Sequence, residues 1–331
     1  MNLSERIDLV TELGRYIKSD SPGWRVAKEK AGKKNSWFIE DFINLSANNI
    51  VDEFLQKDKL ENWVHHYHLD DNIQPRNVGI VMPGNIPLVG FHDFLSVFIS
   101  GHRQTLKLST RDDILLKHLV AKLVELQPDT NEFITIADRL NNCDGYIATG
   151  SNNTSRYFHY YFGRKPSIIR QNRTSVAILQ GDESEKDLEL LADDVHTYFG
   201  LGCRNVTRLF VPGGYDFVPL LTAFRKYNYF SDHPKYKNNY DYYLAILIMN
   251  NLFYMTNESI LLLENEELFS PISQVNYTFY TSSEQVKNHL DANNNIQWAE
   301  GQGYHAFGTS QHPDLFTYAD GVDTMAFLLS L

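Results

Sequence analysis

Apolar residues recur every three or four positions in the two opening segments of the chain. That spacing puts them on one face of an α-helix, so both segments are predicted to be amphipathic helices. A later apolar segment is predicted to be a helix that stops at Gly101. The predicted helices, with three more downstream, cover residues 4–17, 37–58, 88–102, 112–127, 153–163 and 187–200.

Short apolar runs bounded by Pro, Gly or Asn lie between the later helices and are predicted to be β-strands. The runs read "NVGIV", "RQTLK", "DGYIAT", "SIIRQ" and "SVAILQ". Strands that alternate with helices of this length indicate an α/β fold with a mainly parallel, doubly wound sheet. Ligands in such sheets bind beyond the carboxyl ends of the strands, so the loops there are the candidate sites.

The composition is that of a globular protein, with 43% apolar and 21% charged residues among 331, a length that fits two domains. A net charge of −11 argues against a general nucleic-acid binder, which needs a basic face. No apolar stretch is long enough for a membrane span, and the first residues lack the apolar run of a signal peptide. Two cysteines do not make a disulfide framework, so the chain is predicted to be cytoplasmic.

Four loops carry side chains with useful chemistry, and each also has a plain structural interpretation. The loops read "PGNIP", "KLSTRDD", "ATGSNNTS" and "GLGCRN", and we group all four with the loops that follow strands. In the last of them, Cys203 stands between a predicted helix and a short run that resembles a strand. Asn85 can belong to an ordinary turn, Lys107 to an exposed strand, and Ser151 to a helix cap or a phosphate site. Cys203 is either a small buried hydrophobe or a nucleophile on an accessible bend. No G-x-G-x-x-G fingerprint occurs.

Three histidines close together, His65, His66 and His68, raise the question of a metal site. No carboxylate or cysteine stands at ligand spacing from them, so they are predicted to be surface or interface residues, and no metal is expected. His196 precedes Cys203 by about two helical turns and is a weaker candidate for a base. Cys143 is predicted to be a buried residue at a strand edge.

The order of the four loops resembles the aldehyde dehydrogenase superfamily. Its members carry an Asn-x-Pro loop, a helix ending in Gly, a strand with K-P-S/T, a T-G-S turn and a Gly-x-x-Cys nucleophile loop. Here these elements read "GNIPL", "SGHRQTLKLST", "ATGSNNTSRYF" and "GLGC", and "EELFSPISQVNY" resembles the Glu-x-Phe-x-Pro block. The chain is more similar still to the acyl-CoA reductase branch related to the bacterial luminescence fatty-acid reductase, which the ending "GTSQHPDLFTYADGVDTMAFL" also resembles. The resemblance covers residues 78–277.

This resemblance implies roles for the matching residues. Cys203 would be the nucleophile, and Asn85 would offer its amide, together with the Cys203 N–H, to the oxyanion that forms on attack. The cofactor would be NADP, with NAD as the alternative. Lys107, with Ser109 or Thr110, would bind its adenosine ribose. Thr149, Gly150 and Ser151, at a helix start, would bind the pyrophosphate. Glu267 would bind the nicotinamide ribose, and Phe269 would pack on the nicotinamide ring.

One departure from the superfamily pattern bears on the reaction. Hydrolytic members carry a Glu-Leu-Gly-Gly block whose glutamate activates water, whereas this chain reads "IIRQNRTSVAIL" there, with no carboxylate. An enzyme that turns a thioester into an aldehyde has no use for such a base, because water would hydrolyse its acyl intermediate. The absence therefore favours acyl-CoA (or acyl-carrier) reduction, although a non-catalytic relative would show it too.

The predicted organisation has three parts: residues 1–172 with helices and the dinucleotide-binding domain, residues 173–300 with the catalytic cysteine, and residues 301–331 as a tail. The resemblance implies a homo-oligomer in which the tail reaches a partner copy, and a synthetase subunit is a further candidate partner. The chain is shorter than typical superfamily members. Two alternatives stay open: an aldehyde or semialdehyde dehydrogenase that works without CoA, and a non-catalytic scaffold of the same fold.

Overall fold

The chain folds into two units in a computed structural model that describes residues 1–331. The first unit comprises Met1–Asn172 together with His312–Leu331, and the second comprises Arg173–Gln311. Each unit is built around its own β-sheet. None of the helices combines the length and the apolar character that a membrane-spanning helix needs.

Four helices open the first unit: α1 (Leu3–Lys18), α2 (Pro22–Lys34), α3 (Glu40–Phe54) and α4 (Lys57–His66). A capping box formed by Asn2 and Glu5 begins α1 and satisfies N–H groups that the first turn leaves without partners. Helix α3 occupies most of the segment predicted as a helix over residues 37–58, but it ends at Phe54, and a separate helix, α4, begins after residues 55–56 and extends beyond that segment. Leu55, in that break, is almost completely buried, so the break lets α4 turn its own apolar face, including Trp63, into the same core.

The first sheet is entirely parallel and has the strand order β3-β2-β1-β4-β5. Its strands are β1 (Asn77–Val81), β2 (Arg103–Lys107), β3 (Ile134–Ile136), β4 (Gly145–Thr149) and β5 (Ser167–Arg170). Helices α5 (Phe91–Ser100), α6 (Ile114–Leu126) and α7 (Asn152–Phe162) lie in the connections. Gly101 ends α5 with a φ of 86°, as predicted, because this left-handed conformation costs glycine little.

The second sheet has the order β11-β6-β7-β10-β9-β8 and is parallel except for the pair β8–β9. Its strands are β6 (Thr174–Ile178), β7 (Val206–Pro212), β8 (Met255–Thr256), β9 (Leu261–Glu264), β10 (Gln274–Tyr280) and β11 (Ile296–Gly301). The helices of this unit are α8 (Glu185–His196), α9 (Phe217–Phe224), α10 (Pro234–Met249) and α11 (Ser283–Asp291). The α/β fold class with parallel sheets agrees with the sequence-based prediction.

The end of the chain returns to the first unit and finishes in α12 (Thr324–Leu329). Tyr318 accepts a hydrogen bond from the indole N–H of Trp63 at 2.9 Å, and its hydroxyl donates to that of Tyr67 at 2.9 Å. The buried guanidinium of Arg170 donates to the hydroxyl of Thr324 at 2.8 Å. The last residues, predicted as part of a tail, are therefore packed into the first unit, and their role in oligomerisation stays a prediction.

Candidate active site

Three of the four predicted loops meet at the carboxyl edge of the first sheet. Strand β1 lies between β2 and β4, and Val81 at its end is paired with Lys107 on one side and Ala148 on the other. Neighbouring strands are about 4.8 Å apart, so the loops that follow these ends are brought together. The structure thereby groups the loop of Asn85 with the predicted cofactor residues of the first unit.

The loop of Asn85 is held tightly against the loop after β2. A Cβ added at Gly84 would lie 2.5 Å from the Ser109 hydroxyl oxygen, so only glycine allows this approach. The hydroxyl of Ser46 donates to the carbonyl of Pro87 at 2.7 Å. Leu88 follows in the left-handed region with a φ of 55°, an uncommon conformation for a bulky residue that the surrounding contacts must hold in place.

Asp112 provides one of those contacts from inside the first unit. Its carboxylate accepts a hydrogen bond from the N–H of Leu88 at 2.7 Å, and its other oxygen is buried without a hydrogen-bond partner. Burial raises the pKa of Asp112 to about 7, although the Leu88 hydrogen bond partly opposes the shift. The sequence indicated Asp112 only as a residue near a helix start, because its inward orientation depends on the tertiary structure.

The segment from Thr149 to Ser151 leads from β4 into α7, as predicted. The Ser151 hydroxyl accepts a hydrogen bond from the N–H of Thr154 at 3.3 Å and so caps α7. This is the structural interpretation of Ser151, and it does not conflict with a phosphate site, because the first turn of a helix presents several N–H groups. Ser151 is exposed, so its position is open to a ligand.

Cys203 lies in the second unit, half-buried in the turn between α8 and β7. The predicted helix before Cys203 and the predicted strand after it are confirmed as α8 and β7. Grouping this loop with those that follow strands is wrong, because the loop enters β7 at the amino edge of the second sheet. The Cys203 carbonyl accepts a hydrogen bond from the hydroxyl of Ser175, in the neighbouring strand β6, at 3.2 Å. Cys203 is therefore not fully buried, as an inert core cysteine would be. Cys143 is buried, as predicted.

The backbone ahead of Cys203 is strained. Tyr198, Phe199 and Gly200 all lie in the left-handed region, with φ values of 56°, 57° and 73°. A left-handed conformation costs a residue other than glycine about 1–2 kcal/mol, and two such residues in succession are unusual. Both aromatic side chains are buried. Their packing therefore maintains a sharp bend that delivers the chain from α8 to the cysteine turn.

His196 is excluded as a base by its surroundings. The ring is buried and stacks on Tyr227 with 4.6 Å between ring centroids. Burial lowers the pKa of His196 to about 4, so the ring is neutral, and its Nδ1–H donates to the Ala192 carbonyl at 2.8 Å. His196 therefore belongs to the aromatic core of the second unit.

Glu267 and Phe269 lie in the loop between β9 and β10, with both side chains exposed. The loop backbone is fixed from beneath: the amide of Asn276 donates to the carbonyls of Glu267 and Phe269 at 2.9 and 3.2 Å. The hydroxyl of Thr207, near the start of β7, donates to the Leu268 carbonyl at 2.8 Å. This loop and the cysteine turn thus both contact the first part of β7.

The stretch that replaces the hydrolytic glutamate begins with a structural residue. Arg170 is buried at the end of β5 and forms an ion pair with Asp93 of α5. Gln171 and Asn172 are exposed. This part of the chain therefore presents no carboxylate of its own.

Two further observations concern residues outside these loops. His65, His66 and His68 are exposed, and no group of three or more His, Cys, Asp or Glu side chains is arranged to hold a metal ion. Arg204, next to Cys203, lies over the ring of Trp298 with 5.2 Å to the ring centroid, and Trp298 in turn stacks on His305 at 3.5 Å. Trp298 and His305 border a groove of about 430 Å³ along β11 that the sequence gave no reason to expect.

The sequence matches the acyl-CoA reductase (LuxC) family over residues 44–218, more than half of its length. The chain belongs to this family. The match contains Asn85, Cys203 and the loops between them, whereas Glu267 and Phe269 lie outside it. Comparison with curated proteins found no match.

Solved structures of aldehyde dehydrogenases share the fold of this acyl-CoA reductase family member. A putative aldehyde dehydrogenase from Burkholderia cenocepacia superposes with a TM-score of 0.64 at 11% identity, covering 86% of this chain and 71% of the other. An indole-3-acetaldehyde dehydrogenase of P. syringae, in complex with NAD+, superposes with a TM-score of 0.64 at 10% identity, and the match covers 87% of this chain and 69% of the other. An aldehyde dehydrogenase of Bacillus cereus, also in complex with NAD+, superposes with a TM-score of 0.63 at 15% identity, and the match covers 90% of this chain and 71% of the other.

The family match confirms the predicted acyl-CoA reductase branch and an enzyme of aldehyde-related redox chemistry, and the solved structures confirm the predicted α/β fold. At such low identity, the solved structures establish the fold alone. The roles of individual residues and the identities of substrate and cofactor therefore rest on the chemistry of this chain.

Proposed function

We propose that this protein reduces an acyl-CoA, or an acyl-carrier thioester, to an aldehyde with NADPH through an acyl-enzyme on Cys203. The observation that carries the proposal is the placement of Cys203: it is half-buried in a strained turn at the edge of a sheet, inside the region that matches the family. Strained turns that hold a reactive side chain at an edge are a frequent property of functional sites.

The first half of the reaction is acyl transfer. The Cys203 thiolate attacks the thioester carbonyl, and the oxyanion of the tetrahedral intermediate is stabilised by the Cys203 N–H and, by family resemblance, by the amide of Asn85. The intermediate collapses with cleavage of the carbon–sulfur bond to CoA. The products are free CoA and an acyl group bound to the sulfur of Cys203.

The second half reduces the acyl group. A bound nicotinamide would supply the hydride that converts the thioester carbon into a thiohemiacetal. The thiohemiacetal on Cys203 then breaks its carbon–sulfur bond and yields the aldehyde and the thiolate. Overall, one acyl thioester, one NADPH and one proton give one aldehyde, one CoA and one NADP+.

The residues of the first unit fit a dinucleotide. The absence of a side chain at Gly84 lets the Ser109 hydroxyl, a proposed ribose ligand, pack against the loop of Asn85. The start of α7 offers its N–H groups and partial positive charge to a pyrophosphate. Lys107 at the end of β2 is exposed and would bind the adenosine ribose. In the second unit, Glu267 and Phe269 remain proposed for the nicotinamide ribose and ring.

The charge of the loop after β2 supports NADPH over NADH. Lys107 and Arg111 are exposed there. The two acids that follow are engaged elsewhere, since Asp112 points inward to a backbone N–H and Asp113 forms ion pairs with two lysines. The exposed charge is therefore positive, and a positive loop favours a cofactor that carries an additional phosphate.

The lack of a water-activating carboxylate supports reduction over acid formation. The stretch at residues 170–173 has no acid, and its first member is held in an ion pair with Asp93. An acyl-enzyme without an adjacent base survives long enough to react with the nicotinamide. The cytoplasmic location and the homo-oligomer remain predictions from the sequence.

Radiolabelled acyl-CoA without reductant tests the proposal. We expect a stable adduct on Cys203 that is absent from Cys203→Ala and retained in Cys143→Ala, the matched change at the other cysteine. Addition of NADPH should then release aldehyde and CoA. Release of carboxylic acid would instead indicate a CoA-independent dehydrogenase, and the absence of both adduct and turnover would indicate a scaffold.

A further inference from the structure

Asn205, two residues after Cys203, is completely buried and uses its whole side chain in hydrogen bonds. Its amide nitrogen donates to the carbonyls of Asp194 and Thr197 at 2.9 and 2.8 Å, and to a third carbonyl at the end of α8. Its amide oxygen accepts from the N–H of Gly202 at 2.7 Å. The carbonyls that accept these bonds precede the left-handed bend at residues 198–200, whereas the Gly202 N–H follows it. The Asn205 side chain therefore ties the two sides of the bend together.

The peptide between Gly202 and Cys203 is held by the same residue. The carbonyl of Gly202 accepts a hydrogen bond from the backbone N–H of Asn205 at 3.2 Å. In a trans peptide the carbonyl and the N–H of the next residue are coplanar and point in opposite directions. The Asn205 backbone thus fixes the Gly202 carbonyl, while its side chain fixes the Gly202 N–H. Without the side chain, only one end of Gly202 stays anchored, and the direction of the Cys203 N–H is no longer set.

Two backbone carbonyls of the turn are anchored to β6. The Cys203 carbonyl accepts from the Ser175 hydroxyl at 3.2 Å, and the Asn205 carbonyl accepts from the Ser175 N–H at 3.1 Å and the Thr174 hydroxyl at 3.2 Å. These bonds hold the turn to the sheet but do not cross the bend. Among the hydrogen bonds described here, those of the Asn205 side chain join the end of α8 to Gly202 directly.

We infer that Asn205 is a positioning residue for the acyl-transfer step: it orients the Cys203 N–H toward the developing oxyanion. The inference rests on the proposed role of Cys203 as the nucleophile. It assigns to Asn205 no contact with substrate or cofactor. Loss of its side chain should therefore impair reactions that pass through an oxyanion and spare reactions of the sulfur that do not.

Two thiol reagents separate these cases. Iodoacetamide alkylates a thiolate by direct displacement and needs no oxyanion donor, whereas p-nitrophenyl acetate acylates it through a tetrahedral oxyanion. In Asn205→Ala we expect acylation of Cys203 to slow about 10²-fold, the size of effect seen when one oxyanion donor is lost. Alkylation of Cys203 should stay within about threefold, since the thiolate itself remains available. Mass spectrometry of the Cys203 peptide measures both rates.

Asn257 provides the matched control. It is buried in the same unit, and its oxygen accepts from the N–H groups of Ser259 and Ile260 at 3.1 Å each, so it also fixes a turn. Asn257→Ala should lower thermal stability without changing the ratio of acylation to alkylation. Asn205→Asp, which keeps the shape and the acceptor oxygen but loses the donor to the helix carbonyls, is the second variant if Asn205→Ala does not fold.

An unchanged ratio in the folded Asn205 variants overturns the inference, and so does a fall of both rates in proportion to unfolding. Because the ester does not depend on the natural substrate, the test is separate from the proposed function. If wild type reacts with the ester and not with acyl-CoA, the proposed function fails and Asn205 is still tested. If wild-type Cys203 is not acylated by the ester at all, the inference fails.

Discussion

The carboxyl groups of Glu300 and Asp194 face each other in the interior of the second unit. Neither oxygen of Glu300 meets an N–H or O–H donor, so one carboxyl group must itself carry the proton. Asp194 also accepts hydrogen bonds from the Ser310 hydroxyl at 2.6 Å and from the N–H of Gly308. Because Asp194 has these donors, it is the charged member and Glu300 the protonated one.

This pair makes the stability of the protein depend on pH. Burial, followed by the contact with Asp194, raises the pKa of Glu300 to about 11 from an ordinary 4.5. Between these values the folded state binds a proton that the unfolded state releases, so stability falls as the pH rises. Glu300→Gln, whose amide donates to Asp194 at every pH, should lose that dependence.

We expect the folding equilibrium constant of wild type to fall relative to Glu300→Gln by up to about tenfold for each pH unit above pH 6. Urea unfolding at pH 6 and pH 9 measures the difference. Glu284→Gln, at an exposed position in the first turn of α11, is the control and should keep the wild-type slope. Parallel slopes for wild type and Glu300→Gln would contradict the shared proton.

Asp112→Asn tests the support of the Asn85 loop. The folded pKa of Asp112 is about 7 against an ordinary 3.8, so wild type should lose stability between about pH 4 and pH 7 and change little above. The asparagine retains an oxygen for the Leu88 N–H and has no proton to lose. Urea unfolding should therefore show that the free energy of unfolding of Asp112→Asn rises relative to that of wild type from pH 5 to pH 8. Asp129→Asn, at an exposed site, is the control, and its stability relative to wild type should not change over this pH range.

Gly84→Ala tests the contact between the loops of the proposed cofactor site. Its new Cβ would lie 2.5 Å from the oxygen and 2.6 Å from the Cβ of Ser109, so one loop must move. Such overpacking costs about 1–3 kcal/mol, and we expect lower stability and weaker NADPH binding. Cofactor fluorescence and thermal unfolding measure these effects.

Two companion variants make the Gly84 test specific. Gly213→Ala adds a methyl group where nothing lies within 4 Å, and it should behave as wild type. Ser109→Gly combined with Gly84→Ala removes the clash and should restore most of the stability. Unaltered stability and cofactor affinity in Gly84→Ala alone would mean that the two loops do not have to stay in contact.

Asn85→Ala tests the second oxyanion donor. If the Asn85 amide stabilises the tetrahedral intermediate, acylation of Cys203 by acyl-CoA should slow by about 10²–10³, with alkylation by iodoacetamide unaffected. Rapid-quench measurement of the labelled adduct gives the acylation rate. Asn62→Ala, at an exposed position on α4, is the control. Acylation at the wild-type rate would remove Asn85 from the catalytic residues.

The sequence by itself determined the elements whose signals are local. Helical periodicity located α1 and α6, and apolar runs ending in turn residues located β1, β2 and β4. Since parallel strands end at one edge, the same signals also brought together the loops of Asn85, Lys107 and Ser151. A segment such as α2, which is rich in lysine and has no regular apolar period, was not predicted.

Tertiary structure alone decided the features that join residues distant in sequence. Neither Glu300 nor Asp112 differs in sequence from an exposed acid, because burial and partners, which raise their pKa values, arise only when elements pack. The cysteine turn was identified by its residues, but its place at the amino edge of β7 and its link through Asn205 to the end of α8 follow from the bend at Tyr198 and Phe199. Such left-handed conformations are unfavourable for these residues locally, so only the surrounding core can impose them.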